Sequence, residues 1–257
     1  MNFLPIPKLL QWTPSLSQRY SCTQKILVTS GCSFTSSTLQ LATAASWPGY
    51  VLDRCRFDQG IDYSYPGAGN EYIGDSILTY FANVPDNEVD QYMVIIMWSG
   101  LDRLEDKILG EKMPNLNGVT YQRVKDADPL APLVLSKQQK IDRTATSANK
   151  MFEGFEYLTR RKIACVFTLY SNLLFPPYVP KRDTTFEFDN FLPKEQLKKL
   201  RALPWIPSQP MDFLYEYMVV NNFGTEDDFH PLAECNLSWT DNILLPGLQK
   251  QNLIVDI

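Results

Sequence analysis

The sequence predicts an α/β fold with three layers, in which helices cover both faces of a central, mostly parallel sheet of about five strands. Apolar runs of strand length alternate along the chain with segments whose apolar residues recur at helical spacing. Two of the runs, 92–98 (YMVIIMW) and 163–170 (IACVFTLY), are apolar almost without interruption. Such runs are typical of parallel strands buried on both faces. The expected topology is flavodoxin-like.

Local signals place the elements of the first half. Residues 25–30 (KILVTS) are a short β-rich run that ends at Gly31, and the first strand is expected there. The serine-tryptophan-proline stretch at 46–48 is typical of a helix start and predicts a helix to about residue 55. A weaker strand is expected within 57–64. A second helix is predicted by apolar residues at helical spacing: Ile73, Ile77, Phe81 and Val84.

The second half has one poorly patterned stretch between clear elements. From 102 to 136 we expect loop with short helical pieces. Helices are expected at about 211–221 and 231–245, and the closing LIVDI is expected to be an edge strand. A long amphipathic helix is predicted by another apolar series: Ile141, Ala145, Ala148, Phe152, Phe155 and Leu158.

Length and composition indicate one folded domain. The chain has 257 residues, of which 44% are hydrophobic, and it contains neither an internal repeat nor a low-complexity linker. We expect an N-terminal extension at 1–24 and a single domain at 25–257. Within that domain, 171–210 is expected to be an irregular insertion, because it holds many of the chain's 18 prolines.

Charge and composition exclude several function classes. A net charge of −5 disfavours nucleic acid and anionic membranes as partners, since phosphate contacts need clustered Lys and Arg. No run of eighteen apolar residues would span a membrane. With one histidine and no C-x-x-C pair, neither a metal site nor a cofactor is expected. Five scattered cysteines and an N-terminus without a basic leader predict a cytoplasmic, reducing location without a signal peptide.

The end of the first predicted strand carries a candidate nucleophile. In a parallel sheet, ligands bind where the carboxyl ends of the strands open into loops. The loop there reads Gly31-Cys32-Ser33-Phe34-Thr35, so Ser33 would project its hydroxyl beside backbone N–H groups that stabilise an anion. Serine at such a turn is also typical of a helix cap, which is the favoured interpretation of the loop taken alone. Cys32 is interpreted as a small buried hydrophobe rather than a thiol nucleophile.

The one histidine, His230, precedes the last predicted helix. A serine nucleophile needs a base whose pKa lies near the working pH, and histidine is the usual choice. Asp227, three residues earlier, would accept the other ring N–H and fix the tautomer. The alternative is an exposed loop histidine beside acidic residues, and His230 alone does not decide between the two.

Together these features resemble the SGNH (GDSL-like) hydrolase family over about residues 25–250. The resemblance consists of a serine after the first strand, a glycine turn after the second and Asp-x-x-His near the C-terminus. It gives Ser33 the nucleophile position, and it gives Asp227 and His230 the Asp-x-x-His positions. The stretch 65–70 (YPGAGN) resembles the family's second block, whose glycine N–H contributes to the oxyanion hole. Both Gly67 and Gly69 fit that role, with Gly69 slightly favoured.

The chain departs from the family pattern after the third predicted strand. The family's third block normally offers Gly-x-Asn-Asp, whose asparagine amide donates to the oxyanion, whereas this chain has Trp98-Ser99-Gly100-Leu101-Asp102. An ionised Asp102 cannot donate and would repel developing negative charge. Asn70 and the Ser99 hydroxyl are the alternative donors. Ser99, Asp102 and Asp228 are also candidate substrate contacts.

The resemblance implies a serine esterase that hydrolyses a small acyl ester, such as an O-acetyl group on a carbohydrate. The rival hypothesis is a catalytically impaired SGNH-like domain that serves as a structural or interaction module. Similar domains occur in bacteriophage proteins, so a phage-encoded member or virion component belongs to this hypothesis. A protein partner would then bind through 1–24 or 171–210.

Overall fold

A computed structural model of the chain describes residues 8–10, 19–35, 46–101, 105–108, 120–123, 136–176, 188–223 and 230–257. These residues form an α/β fold around a five-stranded sheet. Four strands of the sheet run parallel and one edge strand runs antiparallel, which confirms the predicted fold class.

Nine strands are described: β1 (Lys8–Leu10), β2 (Tyr20–Ser21), β3 (Ile26–Gly31), β4 (Gln59–Asp62), β5 (Tyr92–Trp98), β6 (Glu105–Ile108), β7 (Thr120–Arg123), β8 (Ala164–Leu169) and β9 (Val255–Asp256). The helices in the described ranges are α1 (Trp47–Arg54), α2 (Asn70–Ala82), α3 (Lys137–Arg160), α4 (Lys194–Arg201), α5 (Leu214–Val220), α6 (Ala233–Trp239) and α7 (Leu245–Lys250). Short 3₁₀ turns lie at Val89–Gln91 and Phe188–Asn190, and a π-helical turn at Thr240–Leu244 joins α6 to α7.

The strand order of the main sheet is β1-β4-β3-β5-β8. Counted along the chain, the parallel strands therefore lie in the order 2-1-3-4, as in flavodoxin-like sheets. The direction of winding reverses between β3 and β5, where Gly31 pairs with Met97 at the carboxyl end. A crevice opens at such a switch point, and ligands bind there in open α/β sheets.

Helices cover the two faces of the sheet. On one face α2 and α3 pack against alternate strand residues such as Val28 and Val94. On the other face, α1, α6 and α7 pack against the intervening residues, such as Leu27 and Met93. This arrangement is the predicted three-layer architecture, and it brings the start of α6 to the same end of the sheet as the β3 loop. No helix in the described part of the chain is both long enough and apolar enough to cross a membrane.

The structure corrects two predictions in the second half of the chain. Where the structure describes the poorly patterned stretch, at 105–108 and 120–123, it forms an antiparallel pair, β6 with β7, and not short helical pieces. The sequence does not predict these two strands, because they lack an apolar alternation. The closing residues do not join the main sheet. Instead, β9 pairs with β2, so the end of the chain lies against residues 20–21.

The proline-rich segment also holds regular structure. It contains α4, whose Leu197 and Leu200 are buried in the core. Farther on, Trp205 bridges to Phe167 of β8 in parallel orientation, and the Ile206 N–H donates to the Phe167 carbonyl at 2.8 Å. Residues 204–206 thus extend the sheet by a sixth position, on the outer side of β8.

Candidate active site

The Ser33 loop is a tight turn directly after β3. The Thr35 N–H donates to the Cys32 carbonyl at 2.9 Å, and the turn folds Thr35 back onto Gly31. A Cβ at position 31 would lie 2.1 Å from the Thr35 Oγ1, so only glycine allows this return. Ser33 is 8% exposed at the carboxyl edge of the sheet. Cys32 is fully buried among core residues, in agreement with its interpretation as a small hydrophobe.

The histidine lies beside this loop. The Phe34 ring packs on the His230 imidazole with 5.0 Å between centroids and an angle of 42° between the planes. The Phe34 ring also contacts Tyr170, at 5.0 Å, just after β8. Residues 33 and 230, which are far apart in the sequence, therefore lie at the same end of the sheet. The ring of Phe34, the residue directly after Ser33, contacts the imidazole of His230.

The two glycines of the second block have different structural roles. The Ala68 N–H donates to the Tyr65 carbonyl at 3.0 Å, and Gly67 has a φ of 84°. Proline at 66 followed by a residue with positive φ makes this a type II turn, which explains Gly67 without any role in binding. Gly69 is the N-cap of α2 and has an extended backbone. Its position at a helix N-terminus favours Gly69 over Gly67 as an oxyanion contact.

The Asn70 side chain is committed to holding the end of β5. Its Oδ1 accepts from the Ser99 N–H at 2.7 Å, and its Nδ2 donates to the Ser99 carbonyl at 3.2 Å. The same Nδ2 donates to the Ser147 Oγ of α3 at 3.1 Å. Both amide hydrogens therefore have acceptors, which corrects the expectation that this side chain donates to an oxyanion.

Ser99 resembles Thr35 of the Ser33 loop, whose buried Oγ1 also has no hydrogen-bond partner among the described residues. The Ser99 side chain is 0% exposed, and its Oγ has no hydrogen-bond partner in the described part of the chain. Since buried hydroxyls nearly always have partners, this one needs an explanation.

Three predicted site residues, Asp102, Asp227 and Asp228, lie outside the described residues. Within the described ranges no group of three or more His, Cys, Asp and Glu side chains converges as a metal site would require.

Sequence reasoning missed a buried carboxyl group next to the site. Glu216 of α5 is 0% exposed, and its Oε1 accepts from the Ser171 hydroxyl at 2.6 Å. Its Oε2 accepts from the Asn172 N–H at 2.8 Å. The signal was available, because a single Glu inside the apolar run LYEYMVV has to be either exposed or paired with partners.

No protein-family model matches the chain, and no curated protein matches it. It is similar to the solved structure of a G-D-S-L lipolytic protein from Veillonella parvula, with 9% identity, a TM-score of 0.48, and coverage of 88% of this chain and 96% of that one. It is similar to TesA, with 12% identity, a TM-score of 0.46, and coverage of 88% and 98%. A GDSL-like lipase from Bacteroides thetaiotaomicron has 12% identity, a TM-score of 0.43, and coverage of 88% and 89%.

Those likenesses concern the fold alone. In the chain's own strand order, the serine loop follows the first parallel strand and the histidine precedes helix α6. The chain has a flavodoxin-like α/β fold.

Proposed function

We propose that the protein is a serine esterase, with Ser33 as nucleophile, His230 as general base and Asp227 as the residue that orients His230. One observation carries this proposal: the imidazole packs on Phe34, the residue directly after Ser33. A helix cap at Ser33 would need no histidine beside it.

The reaction proceeds in two acyl-transfer steps. The Ser33 Oγ attacks the ester carbonyl carbon while its proton passes to the His230 imidazole, and the carbonyl π electrons move onto oxygen. When the tetrahedral intermediate collapses, the carbon–oxygen bond to the alcohol breaks and the imidazolium returns the proton to the leaving alkoxide. Water then repeats the sequence on the acyl-enzyme, which releases the acid and restores Ser33.

Backbone N–H groups at this edge suit the developing negative charge. The N–H groups of Ser33 and Gly69 are the proposed donors, together with the main-chain N–H of Asn70. Amides in the first turn of a helix have no carbonyl acceptor within the helix, and the 13-residue helix α2 adds the favourable end of its dipole.

A small acyl group fits the limited exposure of the nucleophile. At 8% exposure, the approach to Ser33 is narrow. Acetyl is the acyl group we propose, and the family resemblance suggests that it is carried on a carbohydrate oxygen.

Substitution of Ser33 tests the proposal. Ser33→Ala should lower the kcat for p-nitrophenyl acetate by at least about 10³-fold and abolish labelling by a fluorophosphonate, because both require the hydroxyl. His230→Gln should lower kcat to a similar degree, since the nucleophile would then lack its base.

Ser208→Ala is the matched control, because Ser208 is an exposed serine outside the site. It should retain full turnover and labelling. Equal turnover by Ser33→Ala and the control would overturn the esterase proposal and favour the interaction module.

A further inference from the structure

The Ser99 hydroxyl, which has no partner among the described residues, lies at the point where the sheet reverses its winding. Gly31 and Met97 form the last pair between β3 and β5, and Ser33 and Ser99 each follow two residues later. The two serines therefore emerge from adjacent parallel strands on the same edge. The start of α2 reaches this edge as well, since Asn70 bonds directly to Ser99.

The main chain of Ser99 is held on both sides. The Asn70 amide bonds to its N–H and its carbonyl, and the third bond of that amide, to Ser147, ties the pair to α3. Because Ser99 is also fully buried, rotation of its hydroxyl hydrogen is its main remaining motion. A donor in a fixed position without a ground-state acceptor is what electrostatic preorganisation requires.

We propose that the Ser99 hydroxyl is a catalytic oxyanion donor, which hydrogen-bonds to the negative oxygen formed when Ser33 attacks the ester. The inference rests on the proposed function of Ser33. The hydroxyl supplies the side-chain donor that the Asn70 amide, with both hydrogens already donated, does not supply. Because the hydroxyl is out of contact with water, its bond to a full negative charge is stronger than the same bond at the surface.

The proposal predicts that stability and activity respond in opposite directions to Ser99→Ala. The kcat for p-nitrophenyl acetate should fall by about 10²-fold, the usual effect of losing one oxyanion donor. The Tm should stay the same or rise, because the substitution removes a buried hydroxyl for which the described residues offer no partner.

Ser76→Ala is the matched control for this pair of measurements. Ser76 is also fully buried, but its hydroxyl donates to the Ile73 carbonyl at 2.8 Å and lies 2.9 Å from the Ser30 Oγ. This control should lose Tm and retain kcat. If Ser99→Ala behaves like the control, Ser99 is structural and the proposal is overturned.

A thionoester substrate separates donation to the oxyanion from general damage to the site. Sulfur is a weak hydrogen-bond acceptor, so a lost donor matters less when the carbonyl oxygen is replaced. Ser99→Ala should reduce kcat/KM for p-nitrophenyl thionoacetate by much less than for the acetate. Equal reductions for the two substrates would overturn the assignment.

The Ser33 proposal and the Ser99 proposal fail in different ways. Absence of Ser33-dependent turnover in the wild-type protein would remove the esterase proposal, and the Ser99 assignment with it. Ser33-dependent turnover that is unchanged in Ser99→Ala would leave the esterase intact and remove only the oxyanion role of Ser99.

Discussion

Two neighbouring strands of the sheet, β8 and β5, are each followed by a buried serine that is hydrogen-bonded to a polar side chain from a helix. After β8, Ser171 donates its hydroxyl to Glu216, and the same carboxyl group accepts the next backbone N–H. After β5, Asn70 bonds to both backbone groups of Ser99, and in the described part of the chain the Ser99 hydroxyl has no acceptor.

The difference indicates what each serine does. The Ser171 hydroxyl fastens the end of β8 by donating to Glu216. At Ser99 the fastening is complete without the hydroxyl, which is therefore free to bond to a group that arrives later. Leaving a buried hydroxyl unpaired costs about 1–3 kcal/mol, and the described residues carry that cost at Thr35 and Ser46 as well. What Ser99 adds is its position two residues past the last pair of β3 and β5, level with Ser33.

The largest effect is expected at the fully paired strand end. Glu216→Ala should lower the free energy of unfolding by about 3 kcal/mol, because it leaves the Ser171 hydroxyl and the Asn172 N–H buried without acceptors and opens a cavity. Urea denaturation measures the change. Glu234→Ala, which removes an exposed carboxyl group from α6, should change stability by less than about 0.5 kcal/mol.

Asn70→Asp tests the end of β5, where the Asn70 side chain holds Ser99. The new side chain still accepts from the Ser99 N–H, but it no longer donates to the Ser99 carbonyl or to Ser147. The free energy of unfolding should fall by about 2 kcal/mol, since a carboxylate oxygen of the new side chain then faces the Ser99 carbonyl oxygen. The kcat should fall too, because the Ser99 hydroxyl loses its fixed position. Loss of stability with unchanged kcat would contradict the positioning role of Asn70.

The smallest effect is expected at Cys32. Cys32→Ala should cost about 1 kcal/mol of stability, in keeping with the loss of one buried heavy atom. Its kcat should match that of the wild-type protein, since the thiol lies in the core. A loss of activity as large as that of Ser33→Ala would assign the nucleophile to the thiol instead.

Much of the fold could be predicted because the main elements carry strong local signals. The run at 92–98 is fully buried as β5, and the serine-tryptophan-proline stretch starts α1 at Trp47. The strand β1 was missed because three residues at a sheet edge need no apolar alternation. The helix α4 was missed because only Leu197 and Leu200 of its eight residues are buried, within a stretch otherwise marked by prolines.

The site was predictable only in part, for a physical reason. Ser33 and His230 can be recognised in the sequence, because serine and histidine are common catalytic residue types. The sheet topology then brings their loops together. The partners of Asn70 are not visible in the sequence, since Ser99 and Ser147 lie 29 and 77 residues away. Which hydroxyl lacks an acceptor is a property of the packed structure alone.

The segment beside β8 has a consequence for the behaviour of the protein at high concentration. An uncovered strand edge offers a row of N–H and carbonyl groups to any other chain, and so promotes aggregation. Here Pro204–Ile206 occupies that edge with hydrogen bonds on both sides of Phe167, while β1 covers the opposite edge at β4. In the described part of the chain, the outer edges of β4 and β8 are therefore both paired, and these two strands offer little template for intermolecular strand pairing.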